Sequence, residues 1–141
     1  ETLPLPQASG NQLEIRACFR LRGARQVGLE VLRSPDGQEA TRVVYDVAAN
    51  RLLCDRTRAS LNAETHRDLR GDWLALGADG LLDLHVYIDR SVVESFANSR
   101  VALTSRAYPD RGDSIGVAAL AEGGKAELIA FSAWRMGSCF R

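Results

Sequence analysis

Asp89, Arg90, Ser91 and Glu94 stand within six residues of one another in LHVYIDRSVVESFANSRVALTSRAYP, residues 84–109. Two carboxylates on either side of a tight joint could divide general acid and general base work between them. A neighbouring arginine could equally neutralise them. Asp89 closes one apolar run and Glu94 lies inside the next. A half-buried glutamate on a strand avoids an uncompensated charge by pairing with arginine, here Arg90 or Arg106. The weight falls on a structural fastening, with no catalytic residue assigned. Ser60, His66 and Asp68 include the types of a hydrolase triad, but they share one polar stretch with no nucleophile elbow, and chance explains them. Arg70-Gly71-Asp72 and Arg111-Gly112-Asp113 read as polar turns.

The elements that must carry these residues alternate with period two. Leu13, Ile15, Ala17, Phe19 and Leu21 share one face, with Glu14, Arg16 and Arg20 on the other. Val27, Leu29 and Val31 repeat the pattern, and Ser34-Pro35-Asp36-Gly37 supplies a turn. Thr41, Val43, Tyr45 and Val47 alternate against Arg42, Val44 and Asp46. Leu82, Leu84, Val86 and Ile88 alternate against Asp83, His85, Tyr87 and Asp89. Segments 114–121 and 125–136 read as a last pair, joined as a hairpin by Glu122-Gly123-Gly124. No segment carries a helical stripe, and 55–72 reads as a long loop. Short strands with frequent turns predict an all-β domain, an antiparallel sandwich or barrel.

Composition narrows the function classes. Lys+Arg and Asp+Glu both number 18, so no basic excess recommends nucleic acid. No apolar stretch is long enough to cross a bilayer as a helix. Cys18, Cys54 and Cys139 are odd in number and far apart, unlike a disulfide framework, and Cys139 lies near a loose end. No CxxC or HxxxH pair suggests a metal, and no cofactor is expected. These features lean towards an intracellular protein. Residues 1–10, ETLPLPQASG, carry no signal-peptide pattern. Their two Leu-Pro pairs read as the remnant of an extended linker, with one sandwich domain over 11–141, cut from a longer chain.

With the strands in place, the central stretch resembles the carboxy-terminal β-sandwich of glycoside hydrolase family 32, the invertases, levanases, inulinases and sucrose-6-phosphate hydrolases. The matching positions are Ile88-Asp89-Arg90-Ser91, Val92-Val93-Glu94-Ser95-Phe96, Leu103-Thr104 and Tyr108-Pro109. Weaker agreement extends to Gly28-Leu29-Glu30-Val31, Tyr45-Asp46, Cys54-Asp55-Arg56 and Trp134. Two positions depart from the pattern: Ser95 replaces an apolar residue, and Asn98-Ser99-Arg100 lacks the turn glycine. The resemblance implies a two-sheet antiparallel β-sandwich, a lectin-like jelly roll, behind a catalytic five-bladed β-propeller of the same parent chain. It also implies that Asp89, Arg90, Ser91, Glu94 and Phe96 are structural. Retaining cleavage of a fructosyl bond needs two carboxyl groups about 5 Å apart. The family draws its carboxylates from Asn-Asp-Pro, Arg-Asp-Pro and Glu-Cys segments, and none occurs in these 141 residues.

Two functions remain open at this level. One is a non-catalytic module that covers the propeller of a β-fructosidase, with weak self-association through its mixed outer faces, where Val44 interrupts a polar row. The other is a lectin-like carbohydrate-binding module using Asp83, His85 and Tyr87. Trp73 and Trp134 read as core or interface, so Tyr87 alone supplies little ring area for stacking on a sugar.

Overall fold

The computed structural model describes residues 1–64 and 68–136. Its elements are strands throughout: β1 (Thr2–Ser9), β2 (Gln12–Arg22), β3 (Gln26–Arg33), β4 (Thr41–Asp46), β5 (Arg51–Asp55), β6 (Leu69–Trp73), β7 (Leu81–Asp89), β8 (Val92–Ala97), β9 (Val101–Arg106), β10 (Gly116–Glu122) and β11 (Lys125–Arg135). They form two antiparallel sheets. Sheet A runs β1-β10-β3-β4-β5-β6, and sheet B runs β11-β2-β7-β8-β9. Of the sandwich or barrel that the alternation allows, this is the two-sheet sandwich, of the lectin-like jelly-roll kind that the resemblance implies.

The inward rows fill the space between the sheets. Leu13, Ile15, Ala17 and Phe19 of β2 meet Leu82, Leu84, Val86 and Ile88 of β7 on the core side of sheet B. Val27, Leu29, Val43, Tyr45 and Leu52 line the core side of sheet A. Each fully buried aliphatic chain contributes about 1.5–3 kcal/mol relative to exposure. Period-two patterning sets the register, because a one-residue slip would turn a whole row into water.

Three expectations need correction. Residues 2–9 are not a free linker: β1 is an edge strand that pairs with β10, and Leu5 and Ala8 reach the core. The prolines enforce extension, and an edge strand tolerates their missing N–H groups. The stretch 55–72 is only partly loop, since β6 pairs with β5 and takes Arg70-Gly71-Asp72 into a strand. Finally, β10 and β11 do not form a hairpin. The first lies in sheet A and the second in sheet B, so Glu122-Gly123-Gly124 is a corner between sheets. Gly124 has a φ of 149°, and a Cβ there would sit 2.4 Å from the Gly23 carbonyl oxygen. Only glycine lets this corner lie against the β2–β3 crossing.

The opposite end of the sandwich is gathered by a buried carboxylate. Glu39 is 0% exposed and accepts hydrogen bonds from the backbone N–H groups of Leu61 (2.7 Å), Asp110 (2.7 Å) and Arg111 (3.0 Å). The Ser114 hydroxyl donates a fourth at 2.6 Å. Burial is the largest single influence on its titration and disfavours the charge. The Ser114 hydroxyl and the three N–H groups together outweigh it and hold the pKa below the ordinary 4.5. Beside it Arg111 grips Asp36 at 2.8 Å and Asp113 at 2.7 Å, holding both carboxyls below their usual range. Arg56, also buried, donates to Asp68 of the loop before β6 and to the Arg106 carbonyl of sheet B.

Glu39→Gln should therefore cost about 2–4 kcal/mol, because an amide presents donors to groups that are themselves donors. Since the folded pKa is the lower one, this carboxylate's contribution is complete above about pH 4.5 and is lost as pH falls through the folded value. Denaturant unfolding of both proteins at pH 7 and pH 3 checks this: the gap between them should narrow in acid. A gap equal at both pH values would refute the assignment.

Candidate functional site

The motif region resolves into two turns and an outward face. Asp89-Arg90-Ser91-Val92 is a hairpin with Arg90 and Ser91 at its tip, Asp89 being paired with Val92. Arg90 takes a φ of 56°, the left-handed conformation that a two-residue hairpin needs. Its N–H donates to the Asn11 carbonyl at 2.6 Å, and the Ser91 carbonyl accepts from Ala107 N–H at 2.8 Å. The joint thus holds two inter-sheet crossings, and it does so through backbone groups.

Glu94 takes no part in that. It is exposed on the outer face of β8, and no arginine pairs with it among the described residues. The expected ion pair with Arg90 or Arg106 is absent because the side chain points to water and carries no desolvation penalty for a partner to offset. The same physical rule is met by a different glutamate. Glu30 of β3 is 1% exposed on the outer face of sheet A and is bound by Arg33 (2.8 Å), Arg42 (2.9 Å) and Arg58 (3.2 Å). Its position opposite Arg42 was legible only once β3 and β4 were registered.

The second turn, Asn98-Ser99, follows β8. Both residues have positive φ, 51° and 53°, which defines a type I′ hairpin turn. Asn98 earns its place three times: its N–H donates to Asp83 O, its Oδ1 accepts from Asp83 N–H at 2.7 Å, and its Nδ2 donates to Leu81 O at 3.1 Å. Ser99 has no such compensation for its left-handed backbone.

These turns position the outer face of sheet B. Pairing registers place Trp134, Glu14, Tyr87, Glu94 and Thr104 in one row across five strands. Arg16, His85, Phe96 and Ala102 form the next row, and Cys18 and Asp83 the one beyond. Asp83, His85 and Tyr87 therefore share the face expected of them, with Phe96 added. The His85 and Tyr87 rings lie 4.6 Å apart, and Phe96 meets Tyr87 edge-on at 6.0 Å. His85 Nε2 is 2.8 Å from Glu14 Oε2, and Arg16 donates to Asp83 at 3.3 Å. Partial burial first, then the charge and hydrogen bond of Glu14, push the Tyr87 phenol up. A shallow cavity of 470 Å³ opens between Arg16, Asp83, His85, Tyr87, Phe96 and Arg100.

Trp134 is half exposed on this face and is not core. Sequence reasoning missed it because its neighbours come from β2 and not from β10. Val44 turns out to be buried against Leu53 and Leu120, so it adds no exposed patch to sheet A. Cys54 is a buried thiol whose pKa is pushed up by desolvation. His66 and Cys139 lie outside the described residues.

Fold and motif together define a two-sheet lectin-like sandwich whose motif joints are held by backbone hydrogen bonds. The chain belongs to the family described as glycosyl hydrolases family 32 C terminal, whose model matches residues 1–135. It is 33% identical over 126 residues to a fructan beta-fructosidase of Streptococcus mutans, covering 87% of this chain and 9% of that protein. It is 36% identical over 119 residues to a fructan 1-exohydrolase of Bromus pictus, covering 78% and 18%. The chain thus spans less than a quarter of the curated relatives it matches here. Solved structures share the fold: a fructosyltransferase from A. japonicus (23% identity, TM-score 0.84, 96% of this chain and 24% of that one) and an exo-inulinase from Aspergillus awamori (23%, 0.84, 97% and 28%).

Two departures from the family pattern generate a stability prediction. The Ser95 hydroxyl is buried in the core row of β8 with no hydrogen-bond partner among the described residues. Ser95→Ala should remove that desolvation cost and stabilise by about 1 kcal/mol. Ser99→Gly should relieve the left-handed strain by a similar amount, about 1 kcal/mol. Glu94→Ala should leave the unfolding midpoint where it is. Thermal melts of the three variants check this, and a large loss at Glu94 would mean that its side chain does fasten the fold.

Proposed function

We propose that this chain is the non-catalytic carboxy-terminal sandwich of an enzyme that hydrolyses β-fructosides such as sucrose or fructans, and that it packs on and stabilises the catalytic propeller. The observation that carries this reading is the match of residues 1–135 to the carboxy-terminal family model, in relatives of which it forms a small fraction. Those relatives are a fructan beta-fructosidase and a fructan 1-exohydrolase. The catalysis they perform needs a paired carboxylate constellation, and the family's Asn-Asp-Pro, Arg-Asp-Pro and Glu-Cys segments do not occur in this sequence.

On this reading the sandwich contributes rigidity and surface. Its inter-sheet joints are backbone-anchored and its core is complete, so it offers the propeller a preformed face at little ordering cost.

The expected result is that the purified chain releases no fructose from sucrose, inulin or levan during prolonged incubation. Reproducible release that co-purifies with the protein would overturn the non-catalytic assignment. Deleting the corresponding segment from the parent enzyme should lower its melting temperature. An unchanged melt would remove the stabilising role.

A further inference from the structure

We propose that the outer face of sheet B is a binding site for a neutral oligosaccharide, a short fructan chain, laid across Trp134, Tyr87, His85 and Phe96. The choice of fructan rests on the reading above; the choice of a neutral, hydroxyl-rich ligand rests on the site itself.

Ring area comes first. Four ring-bearing side chains from β11, β7 and β8 converge on this one face, with Trp134 50% and Phe96 36% exposed. Tyr87 meets both the His85 ring and the Phe96 ring, which joins the three into one surface. Trp134 lies in the Tyr87 row, two strands away across β2, or roughly 10 Å at ordinary strand spacing. Two platforms at that separation suit an extended chain of sugar rings better than a single ring. Aromatic faces stack on the apolar C–H face of a sugar while its hydroxyls remain free for polar partners.

Charge comes second. Arg16 is paired with Asp83 and His85 with Glu14, at 3.3 and 2.8 Å, inside the same patch. Glu94 and Arg100, one of each sign, flank it. Such a face sets charges of both signs side by side, with no run of one sign to favour an anionic or cationic ligand. It also offers fixed donors and acceptors, which a hydroxyl can engage in both senses at once. The cavity of 470 Å³ lined by Arg16, Asp83, His85, Tyr87, Phe96 and Arg100 is in the size range of small-ligand pockets.

The test uses the 141-residue chain with inulin-type and levan-type oligosaccharides, and a malto-oligosaccharide as comparison. Backbone amide shifts should move saturably at His85, Tyr87, Phe96 and Trp134 with fructans. In a Trp73→Phe background, where Trp134 is the remaining indole, fluorescence should report the same affinity. Trp134→Ala and Phe96→Ala should each weaken binding about tenfold with an unchanged melting temperature. Trp73→Ala, in sheet A, should not. Absent shifts, or shifts clustered elsewhere, would overturn the site. An equal response to the glucan would overturn the fructan assignment. Shifts that follow protein concentration instead of sugar would make the face a contact between copies and overturn the proposal. None of these outcomes bears on whether the chain lacks hydrolase activity, which the fructose-release assay reads separately.

Discussion

A sandwich of two sheets is covalently joined only where the chain crosses between them, and the Glu39 carboxylate governs one end of those crossings. Its two oxygens gather four donors from two otherwise separate segments: Leu61 before β6, and Asp110, Arg111 and Ser114 between β9 and β10. The segment between β9 and β10 carries the chain from sheet B to sheet A. It has no ladder of its own, so its backbone N–H groups need partners that regular structure cannot supply. A buried anion supplies them at one point, and the donors in turn make the buried charge tolerable. Arg111, held in place by its own N–H to Glu39, then fixes Asp36 in the β3–β4 turn.

The rest of that end follows from the same constraint. With the β9–β10 segment fixed, Ile115 O accepts from Gly10 N–H, and Ala107 N–H meets the β7–β8 turn at Ser91. Arg90 N–H closes the set on Asn11. The family-like stretch from Ile88 to Pro109 is therefore a set of joints around one end and one hairpin of sheet B. Its side chains need turn-compatible geometry at Arg90 and Asn98 more than they need charge. At the far end the work passes to glycine, where Gly124 and Gly23 let two crossings touch backbone to backbone.

What the sequence makes legible divides along the same line. The alternation at Leu13–Leu21 and Leu82–Ile88 reveals strands and faces, because period two is a local property. The motif reveals the family, because turn chemistry is local too. Buried charge is not. Nothing near Glu39 announces that its partners lie up to 75 residues away, and Glu94 looks like the better candidate because arginines are close to it in sequence. Glu30 likewise needs Arg42 and Arg58 brought in by pairing. Residues 2–9 mislead for a related reason: proline signals extension equally in a linker and in an edge strand. Trp134 misleads because the Gly-Gly corner looks like a hairpin, which would have put its strand beside β10.

The two outer faces are solved differently, and the contrast is what gives sheet B its interest. On sheet A the outward Val44, Leu53 and Leu120 are sealed from water, and the neighbouring Glu30 is enclosed by arginines, which leaves its middle with neither apolar area nor free charge. The middle of that face is closed, and the exposed Trp73 stands apart on the edge strand β6. On sheet B the outward row keeps its rings open: Tyr87 and Phe96 touch each other and leave their remaining area, like that of Trp134, towards solvent. Folding gains little from half-exposed rings, since burial is what stabilises them. Their neighbours Glu14, Arg16, Asp83 and His85 are nevertheless ordered by mutual hydrogen bonds into a fixed array. A face whose polar groups are pre-positioned while its apolar area stays uncovered has already met the ordering cost of a contact that the isolated fold does not make.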